Sequence, residues 1–291
     1  MNTYKYGKVL RLISQIDKII LFMVDFAFLD SGTGGIPYLT HLLEKKNDVS
    51  CVYVGDTINF PYGEKTHEEI VKCVVELVKK VIQKFDPRVI VIACNTMSVN
   101  ALDVLREVFP HKQFVGTVPA IKLAASVSTK KRIGLLATRS TINHPYNVDL
   151  KNHFASDCEL ILRADPDLIS FIEKKSFTST KEECRAAVTP AVDFFKKNDC
   201  DVIILGCTHF LNLADVIQDV AKKIKVVDSR EGVVNRALSL FESLSDVRSG
   251  ASCDNGFAKS HLYITGFTEA KDKKEYDVIC SRCNLEWGGL L

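Results

Sequence analysis

Two cysteines in repeated contexts are the residues of this chain best suited to chemistry. Cys94 follows the aliphatic run Val89–Ile92 and one small residue, and Cys207 follows the run Val202–Leu205 and one small residue. An aspartate lies eight positions before each cysteine, and hydrogen-bonding side chains follow each. Two thiols that face each other across a cleft suit one reaction in particular, which takes a proton from one face of a carbon and returns it to the other.

The aliphatic runs predict how these thiols are positioned. β-Branched runs without polar alternation are typical of parallel strands that are covered on both faces. Each cysteine therefore lies at the C-terminal end of a strand, where open α/β sheets bind ligands and the next helix offers free N–H groups and a partial positive charge. We expect this position to lower the pKa of each thiol.

Composition limits the class of protein. The 291 residues, of which 46% are hydrophobic, suffice for one large or two ordinary domains. A net charge of +2 without a basic stripe argues against nucleic acid as the main partner. The ten cysteines are scattered rather than spaced as a disulfide framework, which indicates a reducing cytoplasm.

The N-terminal residues predict neither a signal peptide nor a membrane span. The apolar run from Ile19 to Val24 is interrupted by Asp25, and no small-residue cleavage site follows. We interpret residues 1–20 as an N-terminal extension, with Met23 as a candidate natural start.

Two turns in the first part of the chain are candidates for ligand binding. The predicted strand Met23–Leu29 runs into Asp30–Gly35, whose glycines allow close backbone approach while Asp30 and Ser31 supply an acceptor and a donor. The lysine of a phosphate loop and the dinucleotide-binding spacing are both missing. The turn Pro61-Tyr62-Gly63 after the predicted strand Ser50–Val54 is a candidate carboxylate clamp. An ordinary tight turn and an ordinary surface loop are the alternative interpretations.

The pattern begins again in the second part of the chain. The predicted strand Ile133–Ala137 is followed by the polar turn Thr138–Thr141. They occupy the same places in this part of the chain as the first strand and Asp30–Gly35 occupy in the first part. We infer a duplicated unit: two similar doubly wound α/β domains with mainly parallel sheets, related by a pseudo-twofold axis, with Cys94 and Cys207 on opposite walls of one site. The expected domains are 21–118 plus 228–291, and 119–227; this division is partly carried over from the resemblance described below.

The end of the chain carries little predicted structure. A loop over 245–256 precedes a short predicted strand, His261–Thr265, and a charged tail. Cys280 and Cys283 form a lone CxxC pair without a second pair or nearby histidines, so we expect no zinc site there.

Four motifs carry a resemblance to a known family. They are Asp-Ser-Gly-x-Gly-Gly from Asp30, Gly-Asp-Thr-x-x-x-Pro-Tyr-Gly-x-Lys from Gly55, Ala-Cys-Asn-Thr from Ala93 and Leu-Gly-Cys-Thr-His from Leu205. In this order, from about Val24 to Thr265, the chain resembles the glutamate racemases of the cofactor-independent aspartate/glutamate racemase superfamily. It differs from the common pattern in its N-terminal extension, in Asp165 where cysteine is frequent, and in a longer charged tail.

The resemblance implies roles for particular residues. Cys94 acts as acid/base on D-glutamate and Cys207 on L-glutamate, with Asp30 and His209 beside them respectively. Asp56 and Glu173 are further polar groups near the site. The implied substrate contacts are Asp30, Ser31, Pro61, Tyr62, Gly63, Asn95, Thr96, Thr138, Thr141, Thr208 and His209.

The resemblance also implies the setting of the reaction. No cofactor and no metal are needed, the partner is the small-molecule substrate, and no nucleic acid or membrane takes part. The protein is expected to be a homodimer in a bacterial cytoplasm that supplies D-glutamate for peptidoglycan. One thiol must be a thiolate while the other keeps its proton, so the pair titrates as a coupled system.

Three other functions stay open at the level of sequence. An aspartate racemase has the same fold and chemistry. A cysteine hydrolase would use Cys207 with His209 and would not need Cys94, although a histidine two positions away is poorly placed as a base without support from the fold. A non-catalytic amino-acid-binding module would tolerate serine at either thiol.

Overall fold

Two separate parallel sheets carry the two cysteines. The computed structural model describes residues 23–245, 260–268 and 272–291. In chain order its strands are β1 (Phe26–Asp30), β2 (Cys51–Gly55), β3 (Val89–Ile92), β4 (Gln113–Gly116), β5 (Arg132–Ala137), β6 (Glu159–Ala164), β7 (Val202–Leu205), β8 (Lys225–Val227), β9 (His261–Ile264) and β10 (Glu286–Leu290). They form a six-stranded sheet in the order β10-β9-β2-β1-β3-β4 and a four-stranded sheet in the order β6-β5-β7-β8.

Helices connect these strands. The α-helices are α1 (Ile36–Lys45), α2 (His67–Phe85), α3 (Asn95–Val108), α4 (Ile121–Val127), α5 (Arg139–Asn143), α6 (Pro145–Phe154), α7 (Pro166–Lys175), α8 (Lys181–Lys197), α9 (Ala214–Ala221), α10 (Arg230–Ser245) and α11 (Lys273–Cys283). Short 3₁₀ helices lie at Thr57–Asn59, Tyr62–Glu64 and Thr208–Leu213. None of the helices in the described ranges has the length and apolar character needed to cross a membrane.

Four strands of each sheet follow the same order. The order β2-β1-β3-β4 in the larger sheet matches β6-β5-β7-β8 in the smaller one, and the paired strands are parallel throughout. We call the two parts the large-sheet half (β1–β4, β9 and β10) and the small-sheet half (β5–β8). The predicted pair of doubly wound α/β units with parallel sheets is confirmed, while the domain boundaries at 118/119 and 227/228 remain a proposal.

Both faces of the strands that precede the cysteines are covered. Val89 and Val91 of β3 pack into one apolar cluster, and Ile90 and Ile92 pack into another. On β7, Ile203 and Leu205 face the first cluster, while the alternate residues face a third. This arrangement is why these strands read as continuous aliphatic runs.

Helix α2 shows how local sequence sets an element's ends. Thr66 accepts a hydrogen bond from the N–H of Glu69, whose side chain accepts one from the N–H of Thr66, so a capping box starts the helix. Its apolar stripe, from Ile70 to Phe85, is buried, and Asp86 follows in the left-handed region at φ 39°. Local sequence therefore marks both ends of this helix, His67 and Phe85.

Several predicted elements were wrong in kind. The charged tail contains α11 and β10, and β10 pairs with β9 at the edge of the larger sheet. The polar turn after β5 is the start of α5, with the Thr138 side chain as its N-cap. The helix expected after Cys207 begins as the 3₁₀ helix Thr208–Leu213. The N-terminal extension 1–20 and the predicted loop beyond residue 245 lie outside the described residues.

Candidate active site

One cavity of about 340 Å³ lies at the C-terminal ends of strands from both halves. Both thiols line it, together with most of the residues that the sequence assigns to substrate binding. The predicted residues on its wall are Ser31, Pro61, Tyr62, Gly63, Cys94, Asn95, Thr96, Thr138, Cys207, Thr208 and His209. Asp30, Asp56, Glu173 and Thr141 are buried behind this wall, where they contact residues that line it.

Cys94 stands at the N-terminus of α3, beside the carboxyl group of Asp30. Asp30 is completely buried, and it accepts hydrogen bonds from the Ser31 N–H at 2.6 Å and the Thr208 hydroxyl at 3.1 Å. Burial raises the pKa of Asp30, although the nearby His209 and the Ser31 N–H oppose this shift. A carboxyl group with a raised pKa is suited to exchanging protons.

The thiol of Cys94 does not have the lowered pKa expected from its helix position. Burial, and then the negative charge of Asp30, raise the pKa of Cys94 well above its ordinary value, outweighing the backbone N–H of Met97. Loss of water around the sulfur penalises the thiolate more than the helix end favours it. Cys94 is therefore a thiol at neutral pH.

Cys207 has a different neighbour. Its sulfur lies 3.7 Å from Nδ1 of His209, and Nε2 of that ring lies 3.0 Å from Oε2 of Glu173. Burial lowers the pKa of His209, but the hydrogen bonds to Cys207 and Glu173 raise it well above its ordinary value overall. The raised pKa favours the protonated ring, which lies beside the Cys207 sulfur.

The glycines after β1 allow the two halves to come this close. A Cβ on Gly32 would lie 2.6 Å from Oε2 of Glu173, and a Cβ on Gly34 would lie 2.6 Å from Nδ1 of His209 and 2.7 Å from its backbone nitrogen. The sequence predicted a close approach of this backbone to a ligand, and the structure shows a close approach to the Glu173 and His209 side chains. Larger residues at these positions would push the halves apart.

Hydroxyl groups converge on the part of the wall between the halves. Thr138 Oγ1 lies 3.0 Å from Thr96 Oγ1 and 2.9 Å from Thr141 Oγ1. Asn95 is 2% exposed, and its Oδ1 has no hydrogen-bond partner among the described residues. A buried acceptor of this kind is costly unless a ligand supplies a donor.

Asp56 supports the Pro61-Tyr62-Gly63 turn from behind. Its carboxylate accepts hydrogen bonds from the Tyr62 hydroxyl, the Asn59 side chain and the Thr265 hydroxyl. Burial raises the pKa of Tyr62, with Asp56 adding to the shift. These contacts place the Tyr62 ring at the cavity.

The CxxC pair does not line this cavity. Cys280 and Cys283 are free thiols on α11, and burial raises the pKa of each to about 11. Across the ranges that the structure describes, no cluster of three or more histidine, cysteine or acidic side chains is arranged to hold a metal ion.

The sequence model of the family described as Asp/Glu/Hydantoin racemase matches residues 39–237 of this chain. This range includes both cysteines, Glu173 and His209. The chain belongs to this racemase family. The match covers all four strands of the small-sheet half and three of the six strands of the larger sheet, β2, β3 and β4.

Individual relatives support membership of the racemase family. The glutamate racemase of Treponema pallidum (strain Nichols) is 40% identical over 267 residues, which cover 91% of this chain and 96% of the relative. The glutamate racemase of Proteus mirabilis is 36% identical over 222 residues, covering 75% of this chain and 76% of the relative.

A solved racemase structure has the same fold. Escherichia coli glutamate racemase, in complex with L-glutamate and the activator UDP-MurNAc-ala, superposes with a TM-score of 0.80 at 28% identity and covers 92% of this chain and 98% of that one. The predicted resemblance and the predicted fold class are both confirmed.

Sequence reasoning missed some residues at this racemase site. The Thr33 N–H and hydroxyl donate to Oε2 of Glu173 at 2.9 and 2.7 Å, and the Tyr53 hydroxyl lies 3.3 Å from Oδ2 of Asp30. The only sequence signal for Thr33 was a hydroxyl group among three glycines. Tyr53 lies within a buried strand, where an aromatic residue reads as core.

Proposed function

We propose that this protein interconverts L-glutamate and D-glutamate without a cofactor, by proton transfer between Cys94 and Cys207. The observation that carries the proposal is that each half contributes one thiol to a single cavity, and that each thiol has its own buried proton-exchanging neighbour. The substrate assignment draws on the relatives from Treponema pallidum and Proteus mirabilis, which are named glutamate racemases.

The protonation states suggest how turnover begins. Cys94 carries its proton because its pKa is raised, while a protonated His209 stabilises negative charge on the Cys207 sulfur. Cys207 then removes the α-proton of L-glutamate, and Cys94 donates its proton to the opposite face to give D-glutamate. The reverse reaction starts from the protonation states that this step leaves behind, with Cys94 as thiolate and Cys207 as thiol.

The other cavity residues would stabilise the carbanion. An amino-acid α-proton is weakly acidic, so the base must be close and poorly hydrated, and developing charge needs fixed hydrogen-bond donors. Thr96, Thr138, Thr208 and Gly63 line the cavity and would bind carboxylate oxygens, Thr208 through its backbone N–H because its hydroxyl donates to Asp30. Oδ1 of Asn95 would accept a hydrogen bond from the substrate ammonium group.

The alternatives make different demands on the same residues. The fold brings His209 near Cys207, so a cysteine hydrolase has the support that sequence spacing did not give it. Such an enzyme would leave Cys94 and its buried Asp30 without a role. An aspartate racemase would use both thiols, and it differs only in substrate.

Circular dichroism of the substrate tests the proposal. Purified protein is incubated separately with L-glutamate, D-glutamate and the two aspartate enantiomers. We expect the optical signal of glutamate to decay to zero from either enantiomer. Decay with aspartate alone would reassign the substrate, and no decay with any of the four would overturn the proposed function.

The cellular setting belongs to the same proposal. D-Glutamate made in a bacterial cytoplasm would supply peptidoglycan synthesis, and we expect the enzyme to act as a homodimer. Leu123, Tyr146 and Phe154 are at least 38% exposed and line one groove, which offers apolar surface for such a contact. Light scattering would give the number of subunits, and cell fractionation would give the compartment.

A further inference from the structure

Thr33 connects the two halves at the catalytic site. It lies in the loop after β1 of the large-sheet half and is completely buried. Its backbone N–H and its Oγ1 both donate to Oε2 of Glu173, which lies on α7 near the small-sheet half. The same oxygen is the partner of His209 Nε2 at 3.0 Å.

These contacts determine which nitrogen of His209 can exchange a proton with the Cys207 sulfur. An oxygen that accepts two hydrogen bonds from Thr33 acts as an acceptor, so the His209 nitrogen beside it must carry a hydrogen. Nε2 is then the donor to Glu173, which leaves Nδ1 to exchange a proton with the Cys207 sulfur at 3.7 Å. Fixing the carboxylate thus fixes the orientation of the ring and, when the ring is neutral, its tautomer.

The contact is geometrically tight. Gly32 and Gly34, which flank Thr33, have no room for a Cβ because Glu173 and His209 fill that space. Thr33 itself does not line the cavity, so it acts on Glu173 rather than on a ligand.

We propose that Thr33 is a positioning residue whose hydroxyl, supplied by the large-sheet half, orients Glu173 and through it the proton-exchanging nitrogen of His209 toward Cys207. This inference rests on the proposed function. It means that the acid/base group of one half is completed by a side chain of the other.

Isosteric substitution separates the hydroxyl from everything else that Thr33 supplies. Thr33→Val keeps the shape and the N–H donor but removes the hydroxyl, and Thr33→Ser keeps the hydroxyl. We expect Thr33→Val to lower kcat about tenfold, the equivalent of one hydrogen bond to a charged group, with KM unchanged. Thr33→Ser should restore kcat. Thr33→Ala replaces the valine variant if that protein does not fold.

The pH profile and a matched variant exclude a merely structural effect. A carboxylate that loses a donor is protonated more readily, so the acid limb of the kcat profile should move to higher pH in Thr33→Val and return in Thr33→Ser. Thr117 is equally buried, and its hydroxyl donates to the Ile92 carbonyl at 2.8 Å. Thr117→Val should lower stability without moving the acid limb.

Nitrogen NMR of the His209 ring gives a readout that needs no substrate. At a pH above the raised pKa of His209, where the ring is neutral, we expect one tautomer with hydrogen on Nε2 in the unsubstituted protein and a mixture of tautomers in Thr33→Val. Equal kcat, acid limb and tautomer in the two proteins would overturn the inference, as would a Thr33→Ser variant as impaired as Thr33→Val. If the unsubstituted protein does not racemise glutamate, the proposed function fails, and the NMR comparison still decides the role of Thr33.

Discussion

Cys94 and Cys207 occupy equivalent places in the two halves, yet the groups beside them differ. Leu29 pairs with Ile92, and Leu136 pairs with Leu205, so Asp30 at the end of β1 corresponds to Ala137 at the end of β5. The large-sheet half therefore places a carboxyl group beside its thiol, and the small-sheet half places a methyl group there. His209, two positions after Cys207, corresponds to Thr96.

The difference teaches how one backbone arrangement can give two buried thiols different electrostatic surroundings. Burial and the neighbouring acidic group raise the pKa of Cys94, whereas the neighbour of Cys207 is a histidine ring whose own pKa is raised well above its ordinary value. The repeated fold sets the position of each sulfur, and in the proposed mechanism the unmatched side chains would determine which sulfur acts first as the base.

Removing one thiol at a time should have the largest effect on racemisation and so tests whether both halves are needed. Because each direction needs one base and one acid, Cys94→Ser and Cys207→Ser should each lower racemisation of glutamate by about 10³-fold in both directions. Cys283→Ser, which changes a free thiol that does not line the cavity, should racemise glutamate at the unsubstituted rate. An active Cys94→Ser variant would favour the hydrolase or another one-thiol reaction.

Replacing the carboxylate near each thiol with an amide should lower kcat by different amounts for the two enantiomers of glutamate. We expect Asp30→Asn to lower kcat more for D-glutamate and Glu173→Gln to lower it more for L-glutamate, each by about 10²-fold. The ratio kcat/KM must stay equal for the two enantiomers because their equilibrium constant is one. Steady-state rates in both directions measure this. Equal losses of kcat in both directions for both variants would show that the two neighbours do not serve separate thiols.

A glycine pair tests the close approach of the halves. Gly34→Ala places a methyl group against the ring and the backbone of His209, so we expect a loss of about 1–3 kcal/mol in the free energy of unfolding. Gly232→Ala is the matched change at a position in α10 where a Cβ meets nothing within 4 Å, and it should leave stability unchanged or raise it by about 0.5–1 kcal/mol. Denaturant titrations give both values. Similar effects of the two changes would contradict the role assigned to Gly34.

The smallest expected effect concerns pH and stability. The pKa of His209 is raised above 6.5 in the folded protein, so the folded chain binds this proton more tightly than the unfolded chain. Its stabilising contribution is therefore complete below about pH 6.5 and is lost as pH rises through the raised pKa. The stability difference between the unsubstituted protein and His209→Asn should shrink between pH 6 and 9. Urea titrations across this range measure it, and a difference that grows with pH would reverse the sign assigned to the pKa shift.

The parts of the fold that sequence predicted best are those set by local pattern. Helix α2 has a regular apolar stripe and a capping box, and the strands before the thiols are continuous aliphatic runs. The C-terminal elements α11 and β10 were missed because the charges of the helix and the two glycines of the strand obscure the apolar residues that pack against the core. Their packing against the rest of the chain supplies what local propensity lacks.

The sequence predicted the candidate site only where several of its residues lie close together in one motif. Cys207, Thr208 and His209 are consecutive, so the sequence places them together. The contact between Glu173 and Thr33 joins residues that are 140 positions apart, and the lowered pKa expected for Cys94 ignored how completely its surroundings exclude water. Contacts between halves and the degree of burial depend on tertiary packing, which neither spacing nor composition reports.

The place of β9 between β2 and β10 has a consequence for biosynthesis. The ribosome makes all four strands of the small-sheet half before it makes β9, the strand that pairs with β2 in the other sheet. The half that begins first in the chain is therefore the one whose sheet is completed last. During translation the nascent chain can close the sheet that carries Cys207 while the sheet that carries Cys94 still has an open edge at β2.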